Sequence, residues 1–336
     1  MKKLLVTFVL ITALIACKKK NEFPDFDYTT GFFPYQYPVR TLVLGDYIYD
    51  NTNDNNHKFV ISAAMGGVYE NTKDRVFDIE IASTLCKNVL FQSTGDTIRL
   101  MPTSYYTLSS PNKITIPAGQ VNGGVEVQLT DAFFNDPLAI KLGYVIPVRI
   151  LNATNLDSVL RGKSARTNPD PRVVALWDIL PRDFTMFAVN FINPYHGMYL
   201  HRGASVVKNA ASTALETKVY RTEYNVDNEI WSLATSGKNQ VTISALTHSA
   251  LIPGTVKMNL NFTGNNCTIT PVAGSTFAVT GTGKFATGAD EWGDKKRDAI
   301  YLNYQLTSGS MTFSATDTLV IRDRAVKLQI YAPVVF

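Results

Sequence analysis

Val256-Lys-Met-Asn-Leu-Asn-Phe262 alternates apolar and polar residues without a fault, and so do Val125-Glu-Val-Gln-Leu129 and Val326-Lys-Leu-Gln-Ile330. A period of two puts all the apolar side chains on one face of an extended chain, which marks a half-buried β-strand and leaves no stripe for a helix. Further strand candidates are Phe77 to Ile81, Ile114 to Ile116, Tyr144 to Leu151, Met198 to His201, Val219 to Val226, Val241 to Leu246, Tyr301 to Leu306 and Leu319 to Arg322. Turn formers separate them, among them Pro117-Ala-Gly119, Asn122-Gly-Gly124, Pro253-Gly254 and Thr263-Gly-Asn265. No amphipathic helix longer than three turns can be traced; Leu156 to Arg161 and Val173 to Ile179 read as short helical pieces. The fold class expected is all-β, sandwich or barrel.

At 336 residues, 45% hydrophobic and 18% charged, the chain is too long for one ordinary domain and too apolar for a disordered one. After the strand ending at Leu151 it turns polar and proline-bearing, with Ser164-Ala-Arg-Thr-Asn-Pro-Asp-Pro-Arg172, and alternation resumes at Phe184. That composition suggests a linker over 153–183 between a first domain, 28–152, and a second, 184–336.

The N-terminus sets the expected compartment. Lys2 and Lys3 precede an apolar run from Leu4 to Ile15, which has the length of a signal-peptide core and is too short to span a bilayer. Residues 1–16 therefore read as a signal peptide. Leu14-Ile15-Ala16-Cys17 resembles the bacterial lipobox, so Cys17 is the expected lipidation site, followed by a polar tether over 17–27. Acyl chains on Cys17 would make the membrane a partner without any spanning helix. Taking Lys2, Lys3, Lys18, Lys19 and Lys20 from the formal charge of +4 leaves −1. That body lacks the basic footprint of a nucleic-acid binder. Cys86 and Cys267, in different expected domains and in no C-x-x-C pair, read as buried free thiols.

Six segments, three in each expected domain, carry a family resemblance. Phe33-Pro-Tyr-Gln-Tyr-Pro-Val-Arg-Thr-Leu-Val-Leu-Gly45, Ile114-Thr-Ile-Pro-Ala-Gly119 and Tyr144-Val-Ile-Pro-Val-Arg149 resemble the N-terminal domain of a Bacteroidetes lipoprotein family of unknown function. Tyr195-His-Gly-Met-Tyr-Leu-His-Arg-Gly203, Glu291-Trp-Gly-Asp-Lys-Lys-Arg297 and Leu319-Val-Ile-Arg-Asp-Arg324 resemble the β-barrel-like domain that often follows it. The resemblance implies an immunoglobulin-like β-sandwich followed by an antiparallel β-barrel. It also implies an outer-membrane lipoprotein, facing the cell surface or the periplasm, among the glycan-binding components of starch-utilisation-like uptake complexes. One departure is the basic Lys18-Lys-Lys-Asn-Glu22, where surface-exported members tend to be acidic.

Motifs for chemistry are sparse. The histidines His57, His196, His201 and His248 show no close ligand spacing, so no metal site is expected from them. Asp290-Glu-Trp-Gly-Asp294 could offer oxygen to calcium but lacks the ligand density of an EF-hand, and no cofactor is expected. No G-x-S-x-G or Cys–His arrangement points to a nucleophile. Gly281-Thr-Gly-Lys-Phe-Ala286 meets a dinucleotide pattern literally, yet no helix follows, and a β-turn is the better account.

What remains is aromatic richness, 18 Phe, 16 Tyr and 3 Trp. Exposed indole or phenol faces suit sugar rings, with charged and amide groups taking the hydroxyls. Most of these rings belong in β cores. The candidates for a ligand site are those in polar, glycine-bearing surroundings: Trp292 with Glu291, Asp294 and Arg297, Trp231 after Glu229, and Tyr195 beside Gly197. The expected function is lipid-anchored glycan binding or capture without catalysis. The alternative is an assembly lipoprotein contacting envelope proteins through its first domain, with a glycan hydrolase third.

Overall fold

The computed structural model describes residues 28–327 and 329–336. The expected signal peptide, lipidation site Cys17 and tether, residues 1–27, lie outside the described residues. The chain is all-β: a two-sheet sandwich and a closed eight-stranded antiparallel barrel.

The first sandwich sheet runs in the order Ser158–Val159, Thr30–Phe32, Lys58–Gly66, Asn122–Leu129, Tyr106–Leu108. The second runs Gln329–Ile330, Pro38–Val43, Phe184–Ile192, Tyr144–Thr154, Arg75–Ile81, Lys113–Ile116. Phe33, Phe59, Ile61, Phe77, Val127 and Ile146 fill the space between them. The outer face of the second sheet is also covered, by Leu85, Val89, Phe91 and Ile98 and by Tyr331 from the tail. Burial on both faces explains why Tyr144 to Val148 reads as a continuous apolar run rather than an alternating one.

The boundary differs from the sequence expectation. Phe184–Ile192 is a central sandwich strand, antiparallel to Tyr144–Thr154 and parallel to Pro38–Val43. The presumed linker is tied down as well. Ser158–Val159 pairs with Thr30 and Gly31, and the Asp157 carboxylate accepts from the Thr29 N–H at 2.7 Å and its hydroxyl at 2.6 Å. Arg172 donates to the carbonyls of Leu85 and Lys87 at 2.9 and 2.6 Å. Polar, proline-bearing composition here marks a connection running over the surface, not a free tether. The two helical pieces fail for related reasons: Leu156 to Arg161 is captured by the sheet edge, and Val173 to Ile179 keeps one 3₁₀ turn, Val174–Leu176.

The barrel strands are Gly197–Lys208, Glu229–Gly237, Gln240–Leu246, Thr255–Thr263, Asn266–Pro271, Val279–Trp292, Lys295–Ser308 and Met311–Asp323, the last pairing back onto the first. Ala214–Tyr220 is added beside Gly203–Lys208; the expected strand from Val219 to Val226 ends at Tyr220, and Asn225–Asp227 forms a 3₁₀ turn. Val256, Met258, Leu260 and Phe262 all point into the barrel core, as their alternation requires. Gly281 is mid-strand, not in a turn: a Cβ there would come within 2.3 Å of the Asn303 carbonyl oxygen and 2.7 Å of the Tyr304 Cβ.

Beyond Asp323 the chain returns to the sandwich. Gln329–Ile330 pairs with Pro38 and Val39, and Pro333–Val335 pairs with Val89–Phe91. Of the alternating run Val326 to Ile330, Gln329 and Ile330 form strand, while Val326 and Lys327 lie outside any strand where the chain passes from barrel to sandwich. The barrel is thus an insertion in a sandwich built from 28–192 and the tail.

Candidate functional site

Where the two domains meet, a cavity of about 660 Å³ opens to solvent. The sandwich contributes the loop Asp46 to Tyr49, and the barrel contributes Phe285, Lys296, Arg297, Asp298, Arg322 and Asp323. Ile48 and Tyr49 are 77% and 68% exposed, and the Tyr47 and Tyr49 rings meet edge to face at 5.5 Å. The loop is held from below: Asn51 Nδ2 donates to the carbonyls of Val43 and Gly45 at 2.7 Å each. The cavity thus sets flat apolar rings opposite cationic and anionic groups, which can take a ring face and hydroxyls at once.

Buried Arg324 joins the two sides of this cavity. It donates to the carbonyls of Leu44 and Asp46 on the sandwich and of Asn193 and His196 at the start of the barrel, at 2.7 to 3.0 Å. Beside it, burial and then the Arg324 charge push the His196 pKa down to about 4, and its Nδ1 accepts the Thr235 N–H at 3.0 Å.

Of the residues singled out from sequence, Arg297 alone lines the cavity. Trp292, Glu291 and Asp294 form the tip of the hairpin between Val279–Trp292 and Lys295–Ser308, where Gly293 and Asp294 take the positive φ of a tight turn. Trp292 is half-buried, with the Arg297 guanidinium 4.9 Å from its ring. The tip gathers no calcium ligand set: Asp290 is paired with Arg202, and Glu291 and Asp294 are exposed. Tyr195 is half-buried, with one ring face stacked on Phe262 at 3.5 Å and its hydroxyl donating to the Gly264 carbonyl at 3.0 Å. Trp231 is 3% exposed in the barrel core, because its strand position alternates inward beside Leu233, so it cannot receive a sugar. The residues that sequence reasoning missed, Tyr47, Ile48 and Tyr49, carried a signal: three large apolar side chains crowded between Gly45-Asp46 and a polar run of Asp and Asn.

At one end of the barrel a polar cluster breaks the apolar core. His201 Nδ1 lies 3.1 Å from Glu229 Oε2, and His248 Nε2 lies 2.9 Å from the same oxygen. His201 Nε2 faces buried Asp317 Oδ2 at 3.3 Å, off the line of a full hydrogen bond, while the Tyr220 hydroxyl donates to Asp317 Oδ1 at 2.9 Å. The His201 ring stacks on Trp231 at 3.6 Å. Burial opposes ionisation of Glu229, but hydrogen bonding from His201 and the charge and hydrogen bond of His248 outweigh it and hold the carboxyl below its ordinary pKa.

Cys86 and Cys267, one in each domain, are free, and burial pushes both thiols up to about 11, so neither is a reactive nucleophile.

Residues 194–325 match the family model described as a domain of unknown function, DUF5627, and 26–157 match a second model, for an N-terminal domain. The crystal structure of a Bacteroides ovatus protein of unknown function is 36% identical, covers 93% of this chain and 100% of its own, and superposes with a TM-score of 0.86. The chain belongs to that family. The DUF5627 match begins one residue after Asn193, where the structure places the start of the barrel segment. Two other Bacteroides ovatus proteins are far more remote. One, of unknown function, is 13% identical over 90% of this chain and 100% of its own, at a TM-score of 0.42. The other, named as a proposed carbohydrate binder, is 11% identical over 87% and 99%, at 0.29. No curated protein matches the chain.

Proposed function

We propose that this DUF5627-family chain is a lipid-anchored envelope protein that binds glycan, without catalysis, in the cavity between sandwich and barrel. The observation that carries the reading is the exposed ring of Tyr49, met edge to face by half-buried Tyr47, in one cavity with Lys296, Arg297, Asp298, Arg322 and Asp323. A ring as exposed as Tyr49 contributes little to the fold, so its placement beside hydrogen-bonding groups favours a ligand role. The lipid anchor rests on the Cys17 lipobox, and an outer-membrane site and uptake-complex partners rest on the sequence resemblance.

A glycan array probed with the full-length protein tests the site. Tyr49→Ala should weaken a positive glycan roughly 5-fold, the equivalent of about 1 kcal/mol of stacking, with the melting temperature unchanged. Arg297→Ala should weaken it independently. An array without hits, or affinity indifferent to both changes, would overturn the reading. In the host, Cys17→Ala should move the protein from the membrane to the soluble fraction.

A second reading, docking to another envelope protein through the first domain, is favoured by exposed Tyr35, Val174, Leu180 and Ile330 around an apolar hollow of about 260 Å³. A partner lost on Val174→Asp but kept on Tyr49→Ala would support it.

A further inference from the structure

The polar end of the barrel carries an inference separate from the glycan reading. We propose that His201, Glu229 and His248 bind one divalent transition-metal ion, zinc foremost, with a fourth position left to water. Among the described residues this is the only group of three or more such side chains whose ligand atoms all lie within 4.8 Å of one another.

The distances suit a small tetrahedral ion. Bonds of about 2.0–2.1 Å place neighbouring ligand atoms roughly 3.3 Å apart. Glu229 Oε2 sits 3.1 Å from His201 Nδ1 and 2.9 Å from His248 Nε2, so an expansion of a few tenths of an ångström admits the ion. Two imidazoles and one carboxylate are the donor set of zinc rather than of calcium or magnesium, which prefer oxygen.

The surroundings position the ligands. Asp317 faces the far nitrogen of His201, the arrangement that places the imidazole proton on Nε2 and turns the Nδ1 lone pair toward a metal. Tyr220 holds Asp317, and Trp231 stacks on the His201 ring, so neither group is free to turn away. As a hydrogen-bond network alone the cluster is poorly satisfied: one carboxylate oxygen faces both imidazoles, while His201 Nε2, Asp317 Oδ2 and the Trp231 indole N–H are buried without a full partner. The Glu229 and His248 side chains are 39% and 29% exposed, so the open side of the site faces solvent and an ion can enter there.

Calorimetric titration of the chelator-stripped full-length protein with zinc chloride should show one equivalent bound. Cobalt(II) in its place should give the intense visible bands of a four-coordinate ion. His248→Ala, on a partly exposed loop, and Glu229→Gln should each weaken zinc by more than roughly 100-fold, and Asp317→Asn, which removes only the orienting partner, by roughly 10- to 100-fold. Circular dichroism and melting of each variant separate lost binding from lost fold. Absence of stoichiometric zinc binding, zinc affinity that survives both His248→Ala and Glu229→Gln in folded protein, or a weak six-coordinate cobalt spectrum would overturn the proposal.

Discussion

Replacing Arg324 with alanine should cut the strongest tie between the two domains. Its side chain is deeply buried and reaches four backbone carbonyls on two separate segments. The bonds to Leu44 and Asn193 are wholly buried, so Arg324→Ala strands two acceptors at about 1–3 kcal/mol each. Those to Asp46 and His196 are partly buried and can turn to water, adding less. The expected loss is about 3–5 kcal/mol. Lysine at this position would keep the charge but not the planar fork, and should recover less than half of the loss. In urea, with a slope near 3 kcal/mol per molar, the midpoint should fall by roughly 1–1.7 M. Tryptophan fluorescence and far-ultraviolet dichroism should then separate into two transitions, since the barrel no longer unfolds with the sandwich. A midpoint for Arg324→Ala within about 0.3 M of the parent would refute the argument, because it would mean the four carbonyls find other partners at no cost.

Two other outcomes are expected. A fragment of residues 194–325 should be a monomeric β protein by size exclusion and dichroism, whereas one starting at Phe184 should aggregate, because Phe184–Ile192 has lost both neighbouring strands; a soluble monomer from the longer fragment would place the boundary elsewhere. Lowering pH should destabilise the protein through His196: its folded pKa is about 4 against 6.5 unfolded, so below 6.5 the unfolded chain takes up the proton first and stability falls until pH reaches about 4. His196→Gln should flatten that part of the stability profile, and a slope left unchanged would show that other groups set it.

Much of the fold was legible because alternation is a local property. Val256 to Phe262 needed only its own side chains to declare one face buried. The all-β class followed from such stretches, whereas the family rested on a resemblance carried by particular motifs. The boundary was not legible, since polar composition at 153–183 describes a surface path and does not say whether it is anchored; that depended on Arg172 reaching Leu85 and on Asp157 reaching Thr29, residues far apart in sequence. The candidate sites failed for the same reason. His201, Glu229 and His248 meet through a strand pairing and a loop return, and spacing along the chain encodes neither. One clue was present: Asp317 occupies an inward position in the alternation Phe313, Ala315, Leu319, and a carboxylate on the core face of a strand calls for partners. Trp231 misled because Glu229, two residues before it on the same strand, sits exposed at the barrel's polar end and makes the indole's surroundings look polar in sequence.

The tail that pairs with Pro38 and Val39 and with Val89–Phe91 fixes an order of assembly. During synthesis from the N-terminus, most of the sandwich emerges first, yet Pro38–Val43 keeps an unpaired edge, and the apolar surface around Phe91 and Phe184 lacks its Tyr331 lid until every barrel strand has been made. For that interval the nascent first domain is sticky, and a chaperone that shields strand edges would act on it there. Eleven residues at the far end of the chain, 326–336, therefore govern when the earliest-made domain becomes safe from aggregation.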